Sequence, residues 1–194
     1  YHPAIVIIDF SGNSLTDCMK DAHGNQLESQ DAIDKYREDT VAAIGMFRYR
    51  NDAPQIWLGT APVTLPETVK NDDFQVRMAR MLRGLAAQNP RVHIVEAAQA
   101  VLDHGSWTAE LPCLRNEPCE WGVDAHGNRV NRVRSNDGTH FCPLNYVANQ
   151  ECAVHSSGGL RYALGLSMLP LQSRGWWDQR AADASLGAGF IPSR

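Results

Sequence analysis

The chain has 194 residues, 43% of them hydrophobic and 21% charged, with a formal net charge of -4. These values exclude a disordered chain and fit a single domain over residues 1–194, long enough to bury a sizeable core. The slight negative charge gives no general attraction to phosphate backbones, so no nucleic acid is expected as a partner, and no apolar run approaches the ~20 residues needed to span a bilayer.

The run "AIVIIDF", residues 4–10, is short, apolar and β-branched, and ends in the turn-prone "SGNS"; it reads as a central strand buried on both faces. From Asp31 to about Arg50, Ile33, Tyr36, Val41, Ile44 and Phe47 recur at spacings near three and four, which predicts a helix with one buried face. "QIWLGTAPV", residues 55–63, is the second strand. Thr64 and Glu67 are placed as a capping box with Pro66 in the first turn, opening a helical region with Val76, Met78, Leu82 and Leu85 that closes at "QNP". "RVHIVEAA" is the third strand. This alternation predicts a parallel sheet with helices on both faces, whose ligands sit at the carboxyl ends of the strands.

Residues 103–136 read as a long irregular excursion of the kind that is functional or covering. "SSGGLRYALGLSMLPLQ" predicts a last helix with Leu160, Ala163, Leu164 and Ser167 on one side, and residues 180–194 a loose tail. No internal repeat or low-complexity segment stands out. The opening "YHPAIVIIDFSG" lacks the basic flank and cleavage pattern of a signal peptide.

Five cysteines occur without any C-x-x-C spacing, and the histidines lack the i, i+4 spacing of a helical metal pair, so no metal is expected. Cys113 and Cys119 bracket "LRNEP", and Cys142 and Cys152 bracket "PLNYVANQE"; both are polar loops that a disulfide could close. Such pairing favours an oxidising compartment, whereas five reduced thiols would fit the cytoplasm. Cys18 is left over. Trp107, Trp121, Trp176 and Trp177 could line an acyl or sugar site or pack under long loops.

Two polar clusters fall where such a sheet places an active site: "SGN" after the first strand and "DGTH", residues 137–140, before the last helix. A histidine serves as general base when a carboxylate holds its far nitrogen, and an asparagine amide can donate to an oxyanion; His140, Asp137 and Asn13 supply these groups. The alternative is plainer, an exposed Asn-Asp-Gly turn and a strand-end cap.

In this arrangement the chain resembles the SGNH hydrolases, also called GDSL esterases and lipases. "HPAIVIIDFSGNS" resembles the family block that ends a central strand, with Asn13 at the oxyanion asparagine, Ser11 where glycine is usual and Ser14 where aspartate is usual. "DGTH" matches the late D-x-x-H block, and "IWLGTAPV" the intervening strand with its proline; the likeness covers about residues 3–170. It implies a flavodoxin-like three-layer α/β/α sandwich with a parallel sheet, here without its first strand. It also implies a serine ester hydrolase with no cofactor, His140 as base, Asp137 as its acid partner and Asn13 as oxyanion donor. The nucleophile block that precedes the asparagine block in the family is not found. "GNSLT" offers Ser14 as an alternative nucleophile; otherwise the serine lies upstream of Tyr1, in an N-terminal segment of the same protein. The expected substrate is a small-molecule or glycan O-acyl or O-acetyl ester, and the expected location is extracellular, periplasmic or the cell envelope. Alternatives are an O-acyltransferase acting on a carbohydrate or cell-envelope acceptor, and a noncatalytic carbohydrate- or partner-binding domain. Cys142 as a thiol nucleophile is disfavoured, because it stands two residues from His140 on one segment.

Overall fold

The computed structural model describes residues 3–11, 19–47, 53–65, 72–114, 117–119, 121–142 and 156–175. They fall into two units, one within residues 1–61 and 71–96, the other within residues 62–70 and 97–194.

In the first unit the three apolar runs form strands β1 (Ile5–Ile8), β2 (Gln55–Gly59) and β3 (Val92–Val95). They pair in that order, all parallel, with Ile7 opposite Trp57 and Trp57 opposite His93. Helix α1 (Ser29–Met46) links β1 to β2, and α2 (Asp72–Ala87) links β2 to β3. Because the sheet grows in one direction, crossovers of the same hand leave both helices on one face. There α1 and α2 pack on each other, and Ile33, Ile44, Met78 and Leu82 close a core over Ile56 and Leu58. The fold is mixed α/β with a parallel sheet, as expected from the sequence and consistent with a flavodoxin-like α/β/α arrangement, but in this unit both helices share one face where the sequence predicted them on both. Trp57 and His93, with alternate pleat directions from Ile56 and Leu58, meet with ring centroids 4.7 Å apart.

The helices bury slightly different stripes from those expected. In α1, Thr40 is buried beside Ile33, Tyr36 and Ile44, while Val41 is 41% exposed. Burial raises the Tyr36 pKa to about 12. In α2, Phe74 is buried and Val76 exposed, since Phe74, Met78 and Leu82 stand four apart on one stripe. Thr64 and Leu65 are outside any helix and α2 is described from Asp72; the rest of the expected capping box, Pro66 and Glu67, lies outside the described residues. Strand β2 also ends sooner than expected, at Gly59, and β3 gives way to a 3-10 turn at Ala97–Val101.

Among the described residues β1 is an edge strand, not the expected central strand buried on both faces, and Ile7 is 39% exposed because no further strand or layer covers it there. An apolar groove of about 650 Å³ runs beside it, lined by Ile7, Phe10 and Met19, by Tyr36 and Met46 of α1 and by Phe47 just after it. Phe10 and Met46 are largely exposed there.

In the second unit, part of the stretch expected to be irregular forms a small antiparallel sheet: β4 (Glu110–Pro112), β5 (Gly122–Val123) and β6 (Arg129–Arg132), in the order β4-β6-β5. Strands this short carry no readable alternation. The hairpin between β5 and β6 turns on "DAHGN", where the Asp124 carboxylate accepts from the amides of His126 and Asn128 and from the Asn128 side chain. The same pentapeptide occurs in the first unit, and there Asp21 accepts the same three bonds from His23 and Asn25. The glycine is left-handed in both, with φ of 83° at Gly24 and 81° at Gly127.

Helix α3 (Ser157–Ser173) starts where Ser156 Oγ accepts from the Gly159 amide. Its buried side is Ser157, Gly158, Arg161, Gly165 and Met168, not the expected Leu160, Ala163, Leu164 and Ser167. A Cβ on Gly165 would meet Ala97 Cα at 3.1 Å, so glycine lets α3 approach the 3-10 turn closely. Residues 180–194 lie outside the described residues.

Candidate active site

The "DGTH" segment is an ordered turn in the second unit. Asp137 Oδ1 accepts from the amides of Thr139 at 2.9 Å and His140 at 3.0 Å, which turns Oδ2 toward the ring. His140 Nδ1 lies 2.6 Å from that oxygen. A carboxylate three residues before a histidine reaches its Nδ1 only if the backbone doubles back, and Gly138 at φ 70° makes that possible. The Ser135 amide closes the turn on His140 O at 2.7 Å. Trp107 Nε1 at 2.9 Å and the Leu65 amide at 3.1 Å both donate to Gly138 O.

Partial burial raises the Asp137 pKa, but the bonds from the His140 ring and the two amides outweigh it, so the carboxyl is held below its ordinary value. Asp137 is therefore an anion at neutral pH. With Nδ1 committed to Asp137, the neutral imidazole carries its proton on Nδ1 and its lone pair on Nε2. Both side chains are about two-fifths exposed, at 38% for Asp137 and 43% for His140. The pair thus has the polarity and access of a general base with its orienting carboxylate.

Of the other candidates, Ser11 is fully buried. Asn13 and Ser14 lie outside the described residues, as does Cys152. Cys113 and Cys119 form a disulfide with Cα atoms 5.8 Å apart. Cys142 is disulfide-bonded too, to a partner outside the described residues. No group of three or more His, Cys, Asp or Glu side chains suited to a metal ion occurs among the described residues.

Two buried charged groups of the second unit escaped the sequence reading. Glu117, inside the Cys113–Cys119 loop, meets Arg161 of α3 in a buried ion pair at 2.6 Å and accepts a hydrogen bond from Ser157 Oγ. Burial raises the Glu117 pKa, yet the bonds from Arg161 and Ser157 bring it below its ordinary value. The second is Arg134, fully buried just before the turn. Nothing in the local pattern marks either, because each is explained by a partner remote in sequence.

No protein-family model matches the chain, and no curated protein matches it. Among solved structures, one of a "putative arylesterase" from Agrobacterium tumefaciens str. C58 is similar, with a TM-score of 0.43 and 16% identity, over 90% of this chain. The chain spans 62% of that protein's length.

Proposed function

We propose that this chain supplies the acid–base machinery of an SGNH-type serine ester hydrolase. The observation that carries the reading is the Asp137–His140 pair, with the carboxylate pinned by two amides and its second oxygen on Nδ1. In the proposed reaction a serine from a segment upstream of Tyr1 attacks the carbonyl carbon of an O-acyl or O-acetyl ester. His140 Nε2 takes the serine proton as the new C–O bond forms, and Asp137 stabilises the resulting imidazolium. Asn13 donates to the oxyanion. Collapse breaks the bond to the alcohol, which leaves with the proton returned by His140. Water then attacks the acyl-serine, again deprotonated by His140, and releases the acid and the free serine.

The apolar groove beside the β1 edge supports an additional segment, since parallel sheets are ordinarily covered and paired. The Cys113–Cys119 disulfide supports an oxidising, exported location. The test is a fluorophosphonate probe on the protein with its upstream segment, alongside ester turnover. Labelling of an upstream serine, lost with turnover in His140→Ala, is the expected result. Stoichiometric labelling of Ser14 would instead make "GNSLT" the nucleophile block, and absence of both labelling and turnover would leave a noncatalytic binding domain.

A further inference from the structure

Arg134 is 0% exposed, yet among the described residues no carboxylate is bonded to its guanidinium. Nη2 donates a long bond to Val63 O at 3.4 Å, while Nε and Nη1 are buried with no hydrogen-bond partner among the described residues. Burial lowers its pKa to about 10, against the opposing fields of Tyr162 and Asp137, so it stays a cation at neutral pH. A buried cation with so little compensation is costly, and an apolar side chain of similar volume would fill the space more favourably.

What the cation does touch is Phe141. Its Cζ lies 4.8 Å from the centroid of that ring, and Tyr162 of α3 meets the same ring at 5.1 Å. Phe141 directly follows His140, and Ser135, which directly follows Arg134, donates its amide to His140 O. The Phe141 carbonyl, in turn, accepts from Ser156 Oγ at 2.8 Å. The residue after the base is therefore fixed through its ring and its backbone, while the base's own carbonyl is fixed by the residue after Arg134.

We propose that Arg134 is a positioning residue, whose buried guanidinium holds the Phe141 ring and thereby fixes the turn that presents His140 and Asp137. The proposal rests on the reading of His140 as the base, but the geometry it describes can be measured without catalysis. The guanidinium is fully buried and the ring half-buried, and a cation–π contact strengthens as its cation leaves water, enough to decide the order of one turn.

The test compares Arg134→Met, Arg134→Lys and Phe141→Leu in the full protein, by amide hydrogen exchange and by ester turnover. Exchange at the Ser135 amide should quicken about tenfold or more in Arg134→Met and Phe141→Leu, with the β6 amides unchanged, and should return near wild type in Arg134→Lys. Turnover should follow the same order, with kcat lowered and KM within about twofold. Wild-type exchange at Ser135 in Arg134→Met or Phe141→Leu overturns the proposal, and so does equal quickening throughout β6, which would make Arg134 merely structural. Lysine performing no better than methionine also overturns it. If the wild-type protein shows no esterase activity, the functional reading fails while the exchange result still decides the role of Arg134.

Discussion

Arg161 on α3 and Glu117 in the disulfide loop, 44 residues apart, form a fully enclosed ion pair, with side chains 4% and 0% exposed. Arg161 also donates to Pro112 O at 2.8 Å, and the Leu114 amide donates to Glu117 Oε2 at 3.1 Å, so the pair ties β4, the loop and the last helix together. Removing one partner leaves the other charge buried. Glu117→Gln is expected to lower unfolding free energy by about 3–5 kcal/mol, measured by denaturant titration. A loss below about 1 kcal/mol would place the pair among the weak surface bridges instead.

The pH dependence follows from the same residue. The Glu117 pKa is lower in the folded protein than in the unfolded chain. Its contribution is therefore fully present above the unfolded value of about 4.3 and is lost as pH falls through the lower folded value. Asp137 acts in the same direction. Acid titration of stability should thus show a steep decline below about pH 4, shallower in Glu117→Gln. Equal slopes in the two proteins would contradict the assignment.

The Cys113–Cys119 bond closes a short loop, with the cysteines six positions apart, around Glu117. Replacing both cysteines by serine should cost about 2 kcal/mol by loss of chain restraint. Because Glu117 anchors α3 from within that loop, amides of α3 near Arg161 should lose exchange protection before those of β1, β2 and β3. Simultaneous loss in both regions would show that the loop has no local role.

At the pair itself, Asp137→Asn keeps an oxygen for the Thr139 and His140 amides but turns an NH₂ toward Nδ1. That favours the wrong tautomer, and turnover should fall on the order of 10⁴-fold. His140→Ala should be at least as damaging, and Asn13→Ala should cost about 10²–10³-fold, the scale of one oxyanion donor. Normal turnover in a folded His140→Ala protein would rule out "DGTH" as the base motif.

Gly138→Ala tests the turn. The residue sits at φ 70°, and a Cβ there would lie 2.4 Å from Leu65 Cβ. Both the strain and the clash should separate Asp137 from His140, at a cost of about 1–3 kcal/mol in stability together with a fall in kcat. Wild-type stability and rate would show that the turn tolerates a side chain.

Local chemistry in the sequence determined the strand cores, the approximate helices and the two turns. Apolar β-branched runs mark strands, though not whether they lie inside the sheet or, like β1, at its edge, and "DAHGN" makes the same carboxylate-closed turn at Asp21 and at Asp124, because all its bonds lie within five residues. The Asp137–His140 contact was legible for the same reason, being an i, i+3 pair across a glycine. Tertiary structure alone decided which helix faces are buried: Thr40 rather than Val41, Phe74 rather than Val76, and Arg161 with Gly165 rather than Leu160 with Leu164. It also decided that Arg134 is enclosed beside Phe141 and that Glu117 meets Arg161. Burial of a polar or small residue is stabilised by partners supplied from distant parts of the chain, and periodicity records only where apolar residues recur, not what will be brought against them.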